Sequence, residues 1–249
     1  MEAWELALAF AGSFAAGYLG AAIGLVLGTL RLPLLLVLAG SPAAGAGTNI
    51  AISAAAAASG GLRHAREGRV DWRVVAWMAP PSVAGAVLGG LLGHRVPDRV
   101  LFAGLAALLA WQGVDLLARP FREQPLPDPR VAPAAGLGFV IGVVGGAAGV
   151  ILGTLRMPAL LRAVGLTARR AVGTNLVVGF LLGVAGFAAH AARLEVEWAL
   201  LAAGLAGALP GAWLGARVTG RVSEETLRRA IGWAILVIAA AFAVEAALD

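Results

Sequence analysis

No cysteine occurs anywhere in the 249 residues, which excludes disulfides and thiolate metal sites. Lysine is missing as well, because all 19 basic side chains are arginine. Histidine occurs three times, and neither an HExxH zinc motif nor a GxSxG nucleophile elbow is present. No metal, no cofactor and no catalytic residue is therefore expected, and an intramembrane enzyme becomes a minor alternative. Charged residues amount to 13% and aromatics to 6%, so although the pI is about 11.3, the arginines lack the interleaved aromatics of a nucleic-acid surface. Nucleic acid is not an expected partner. The N-terminal residues Met1–Glu5 lack a basic n-region, so the first apolar segment is expected to stay in the membrane.

What the chain has in quantity is apolar length. Hydrophobic residues make up 60% and the mean hydropathy is +0.86, against about 45–50% apolar residues in soluble domains. Apolar segments run over Ala3–Ala39, Ala43–Leu62, Val74–Gly93, Val100–Ala118, Val131–Leu161, Ala171–Ala192, Trp198–Ala216 and Ala230–Leu248. One bilayer crossing takes about 20 residues. The first and fifth segments, at 37 and 31 residues, are too long for one crossing, and the fifth is too short for two. Each contains a proline, Pro33 or Pro158, that is expected to break a helix. Both read as hairpins of two short helices with irregular backbone at the tip.

The same two segments carry a repeated motif, GLVLGTLRLP at Gly24–Pro33 and GVILGTLRMP at Gly149–Pro158, at an offset of 125. Beyond a one-residue insertion the offset is 126. Gly47-Thr48-Asn49 then matches Gly173-Thr174-Asn175, and His64 matches His190. Asp71-Trp72 matches Glu197-Trp198, and Gly85 and Gly89 match Gly211 and Gly215. The expected organisation is a first transmembrane repeat over 1–118, a cytoplasmic linker over 119–130 and a second transmembrane repeat over 131–249.

Arginine placement orients the chain. If the long segments are hairpins, Arg63–Arg73, Arg119–Arg130, Arg162–Arg170 and Arg217–Arg229 share one face and hold fourteen arginines, leaving Arg95, Arg99 and Arg193 opposite. That is the bias of the positive-inside rule. It places both termini outside a multi-pass protein of the cytoplasmic membrane. Matched loops then face opposite ways, which makes the fold class an all-α polytopic membrane protein of two inverted repeats, about eight segments, with the first and fifth forming broken-helix hairpins. Inverted repeats with broken helices are a secondary-transporter architecture, with substrate near the bilayer midplane.

Candidate site residues follow from that architecture. An arginine at membrane depth is costly and marks a functional site unless it snorkels to the headgroups. Arg31 and Arg156 occupy matched positions and supply planar donor forks for an anion. Gly24, Gly28, Gly149 and Gly153 permit close backbone approach, while Thr29 and Thr154 stand at the broken-helix N-termini, whose dipoles attract anions. Thr48, Asn49, Thr174 and Asn175 open the following helices, as caps or as ligand contacts. His64 and His190 are candidates for proton coupling, with His64 reading more readily as an interfacial residue beside Arg63 and Arg66. The small-xxx-small pairs Gly85/Gly89 and Gly211/Gly215 suit close helix packing, inside a protomer or in a homodimer. The partners are a small anionic substrate and the lipid bilayer.

At these residues the chain resembles the TauE/SafE sulfite exporter family of membrane transporters. The resemblance rests on the glycine-rich approach to Leu32-Pro33, on Ala46–Asn49, and most specifically on Gly61–Arg73 (GLRHAREGRVDWR). The second half contributes Val172–Asn175, His190 and Val196-Glu197-Trp198. It implies movement, as export, of a small sulfur-containing anion such as sulfite or an organosulfonate like sulfoacetate. The family usually has three glycines shortly before the proline. Here Val26-Leu27 and Ile151-Leu152 stand in for two of them, leaving Gly28 and Gly153, in both halves alike. An anion channel on the same scaffold is the alternative.

Overall fold

A computed structural model describes residues 2–25, 27–92, 98–118, 128–147, 153–192 and 196–248. These residues are helical with no strand among them. In order the helices are α1 (Ala3–Ile23), α2 (Gly28–Leu38), α3 (Pro42–Arg66), α4 (Trp72–Leu92), α5 (Asp98–Ala118), α6 (Val131–Ala147), α7 (Gly153–Pro158), α8 (Ala168–Ala192), α9 (Trp198–Thr219) and α10 (Glu224–Leu248). A π-helical stretch, Ala159–Val164, continues α7. Among the described residues, four helices are long and apolar enough to cross a membrane: α1, Ala168–Ala188 of α8, α9, and Glu225–Val244 of α10.

The ends of the helices follow from local chemistry. Glu2 and Glu5 form a capping box at the start of α1, with the Glu2 N–H donating to Glu5 Oε2 at 2.7 Å. Ser41 caps α3 by accepting from the Ala44 N–H, and Pro42 follows at the first helical position, where its missing N–H costs nothing. Asp71 Oδ1 accepts from the Val74 N–H at the start of α4.

The expectation that Pro33 breaks the first long segment is corrected. α2 runs through Pro33, and the break lies upstream, where Gly24 adopts φ 72 and the helix resumes at Gly28. Glycine enters this left-handed region without the Cβ penalty that other residues meet. The two helices are also unequal, with 21 residues in α1 and 11 in α2. Pro158 acts differently, since it ends the six residues of α7 and the chain changes there to π-helical spacing.

The chain divides into two compact units, Met1–Val70 with Val172–Arg221, and Asp71–Ala171 with Val222–Asp249. Each draws on both halves of the sequence. The first holds α1, α2, α3, most of α8 and α9. There α1 and α9 run parallel in very close contact, with Gly207, Gly211 and Gly215 against the carbonyl oxygens of Phe10, Phe14 and Tyr18. α3 also runs with α9, since Gly204 lies against Ile52 and the Ser59 hydroxyl donates to Leu209 O at 2.8 Å. α8 runs antiparallel to α3, pairing Gly186 with Ile50 and Leu176 with Gly60. α2 returns along α1, where Gly12 faces Leu34. Ala9, Leu35, Ile52, Leu200 and Ala208 form a shared apolar core.

In the second unit α4 packs on α6, with Gly85 against Phe139 O and Gly142 against Ser82 O. The Gly85–Phe139 pair is the Gly211–Phe14 pair displaced by the sequence offsets of 126 and 125. α5 and α10 are antiparallel and interlock through Gly113 against Leu236 and Gly232 against Leu117. At one end of this unit the arginine-rich loops bind one another. Arg73 pairs with Asp128 at 2.6 Å, and the Arg130 N–H donates to Val164 O. Arg169 Nη2 donates to Val222 O, and Arg170 lies 3.7 Å from Asp71.

Candidate functional site

Arg31 stands one turn into α2, facing α3, and only 3% of its surface is exposed. Its Nε donates to Asn49 Oδ1 at 3.1 Å. Its Nη2 donates to Asn49 Oδ1 at 2.9 Å, to Asn49 O at 3.1 Å and to Ser53 Oγ at 2.8 Å. Asn49 and Ser53 lie four residues apart on α3, hence on one helical face. All these acceptors are neutral, and Arg31 has no carboxylate partner among the described residues. A buried cation that lacks an opposite charge is held at a desolvation cost of several kcal/mol. Gly28 makes the arrangement fit, because a Cβ there would collide with the Ser53 hydroxyl.

The break beside Arg31 is held from three helices. A helix C-terminus leaves carbonyls without intrahelical partners. For α1, Gly20 O accepts from the Gly24 and Leu25 N–H groups. Thr219 Oγ1 donates to Ala22 O at 2.7 Å, and His64 Nε2 meets Ala21 O at 3.2 Å. Asn175 Nδ2 donates to Gly24 O at 2.7 Å. The carbonyl can only accept, so His64 bears its proton on Nε2 in this bond.

The interfacial reading of His64 is thereby corrected: its side chain is fully buried and ties the end of α3 to the end of α1. The stretch around it, which carries the strongest family resemblance, forms a clasp on α9. Arg63 and Arg66 both lie over the Trp213 ring, at 5.0 and 5.4 Å. Arg63 pairs with Glu67 at 2.8 Å, Glu67 also pairs with Arg69, and Arg69 Nη1 donates to Ala216 O at 3.1 Å. Gly68 turns the chain at φ 68.

Of the residues singled out from sequence, the first unit thus brings together Gly24, Gly28, Arg31, Asn49 and Asn175. Thr48 belongs to the scaffold, since its Oγ1 accepts from the Glu197 N–H at 2.8 Å and fastens α3 to the start of α9. Thr174 is buried in α8 of the same unit. Thr29 lies in the first turn of α2 and His190 near the end of α8. In the second unit Gly153, Thr154 and Arg156 are all buried within α7, with Arg156 at 1% exposure. Gly149 lies outside the described residues, as do Arg95 and Arg193. Ser53 and Thr219 were not foreseen. The i, i+4 spacing of Asn49 and Ser53 was a usable signal for Ser53, whereas nothing local marks Thr219.

With that geometry in view, comparison with known proteins is specific. The family model described as sulfite exporter TauE/SafE matches residues 9–242. A probable membrane transporter protein, YjnA of Bacillus subtilis, is 26% identical over 88% of this chain and 94% of its own. A probable membrane transporter protein of Xylella fastidiosa is 27% identical over 90% of each chain. The probable membrane transporter protein YtnM of Bacillus subtilis is 30% identical over 77% of this chain and 68% of its own. No solved structure matches.

Proposed function

This chain belongs to the TauE/SafE sulfite exporter family of membrane transporters, and from that premise we propose that it is a secondary transporter exporting a small sulfur-containing anion, sulfite or an organosulfonate such as sulfoacetate. The observation that carries the reading is Arg31, a buried guanidinium whose described partners are all neutral. An anion beside it supplies the missing charge, and a planar fork suits an oxyanion. Arg156 holds the matching position in the second repeat.

The proposed architecture is a pair of inverted repeats in the cytoplasmic membrane, with termini outside and alternating access to a site near the midplane. Helix directions support it. α1 and α3 both run with α9, so α2 must return, and the first long segment enters and leaves at the same end. α3 and α8 are counterparts that pack antiparallel, as are α5 and α10, which is what a twofold axis in the membrane plane demands. The mutual pairing of arginine-rich loops in the second unit supports a single cytoplasmic face.

Three experiments test this. The native chain has no cysteine, so single cysteines report topology cleanly. Gly40→Cys, in open space between α2 and α3, is expected to label only from outside, and Ser223→Cys, before α10, only from the cytoplasm. Labelling of both from one side would sink the inverted topology. Separately, sulfite or sulfoacetate should raise the melting temperature of purified protein by mass action: a ligand at 100 times its Kd stabilises by about 2.7 kcal/mol. Saturable counterflow in proteoliposomes is expected of a transporter, and non-saturating flux would favour a channel. A folded protein that no sulfur anion stabilises or traverses the membrane through would end the reading.

A further inference from the structure

Resting on that reading, we propose that Ser53 is a specificity-determining donor of the anion site in the first unit, and that the ligand is an oxyanion bearing no ammonium group. A cavity of about 20 Å³ lies against Ser53, bounded also by Gly17, Gly20, Leu27, Gly28 and Ala57. Among the described residues that line it, Ser53 contributes the polar side chain and the others are glycine, alanine and leucine. The residue is 4% exposed. Its oxygen accepts from Arg31 Nη2 at 2.8 Å, while its single hydroxyl hydrogen has no acceptor among the described residues. A hydroxyl that accepts one bond still carries a hydrogen it can donate.

Three features of one electrical sign therefore converge on this cavity. The Ser53 hydrogen is a donor, polarised by the guanidinium behind it. The N-terminus of the 11-residue helix α2 begins on the cavity wall at Leu27 and Gly28, without a side-chain cap. Arg31 stands behind Ser53 without a carboxylate. Room for one water-sized group takes about 10–15 Å³, so the cavity admits one terminal oxygen, not a whole sulfonate. An ammonium on the same ligand would lie outside the cavity, close to these positive features, and would be repelled by them. Sulfite or methanesulfonate fits these requirements, and zwitterionic taurine does not. The counterpart of Ser53 at the 126 offset is Gly179, so the second repeat has no such donor. The two arginine positions are chemically unequal, with selectivity on the Arg31 side.

The test measures binding of sulfite, methanesulfonate and taurine to purified wild type, Ser53→Ala and Arg31→Ala, with ligand-free melting as the folding control. Wild type should prefer sulfite and methanesulfonate over taurine. Ser53→Ala should melt like wild type, bind sulfite about ten-fold or more weakly through loss of one bond to a charged group, and narrow the preference against taurine. If Ser53→Ala keeps wild-type affinity and preference while Arg31→Ala loses binding, the role of Ser53 is overturned and the transporter reading stands. If wild type binds none of the three, both fall.

Discussion

Arg31→Ala is expected to abolish anion-dependent stabilisation and transport while leaving a folded protein. The asymmetry follows from what the substitution removes. Truncation orphans the acceptors on Asn49 and Ser53, a penalty of about 1–3 kcal/mol for each buried group left unpaired. It also removes a desolvated cation, whose burial costs several kcal/mol. The two contributions oppose each other, so the ligand-free melting temperature should move by only a few degrees. Nothing offsets the loss on the binding side. Truncating one member of a buried charge pair leaves the other charge uncompensated, at a cost of about 2–5 kcal/mol, which is roughly 30-fold to several thousand-fold in affinity. Arg31→Lys separates charge from geometry: the ammonium keeps the positive sign but cannot span Asn49 and Ser53 with a planar fork. It should fall between wild type and Arg31→Ala. Sulfite titrations followed by thermal unfolding give both numbers, and unchanged affinity in Arg31→Ala would show that the buried cation serves only the fold.

The second large effect belongs to the α1–α9 contact. Gly211→Leu and Gly215→Leu should each prevent a stable protein from accumulating. A Cβ at Gly211 meets the Phe14 backbone and one at Gly215 meets the Tyr18 backbone. Neither partner is a flexible side chain that yields by changing rotamer. The helices must separate, forfeiting contact along their length, so the cost should exceed the usual 1–3 kcal/mol of an overpacked core. Gly85→Leu should be as damaging, because Phe139 O occupies the equivalent place in the other unit. Gly104→Leu and Gly136→Leu are the controls, with no neighbouring atom within 4 Å of the new Cβ, and they should purify like wild type. Size-exclusion profiles in detergent decide the matter. A monodisperse Gly211→Leu protein would mean that the close approach is dispensable.

Much of the fold was legible before any coordinates, because membrane helices announce themselves through apolar length and glycine spacing. Seven of the segment starts lie within a few residues of helix starts, and the pairs Gly85/Gly89 and Gly211/Gly215 were read as packing surfaces. What remained hidden was relational. The repeat showed that α4 resembles α9, but not that α9 packs on α1, because the surface meeting Gly211 is a backbone carbonyl and every residue has one. Proline was over-read at Pro33: α2 carries it, and glycine in the left-handed region makes the break. His64 was assigned to the surface because arginines flank it in sequence. On the helix those arginines swing onto Trp213, while His64 points to the end of α1. Arg31 was recognised by its cost in an apolar run, and Ser53 was overlooked because a lone serine in an alanine-rich stretch costs little.

The glycine–carbonyl contacts carry an implication for ancestry. A chain of half this length, from α1 to α5, would own the carbonyl edge on α1 and a glycine face on α4. In the present molecule α1 mates with α9, and α4 with α6. If the proposed inverted repeat holds, a half-length forebear would close both contacts by lending helices to a second copy of itself. Duplication and fusion would then have converted a concentration-dependent encounter into a tethered one. Once joined, each half was free to diverge without having to recognise itself. The exchange of a serine for a glycine between positions 53 and 179 is a change that such a paired ancestor could not have made on one side alone.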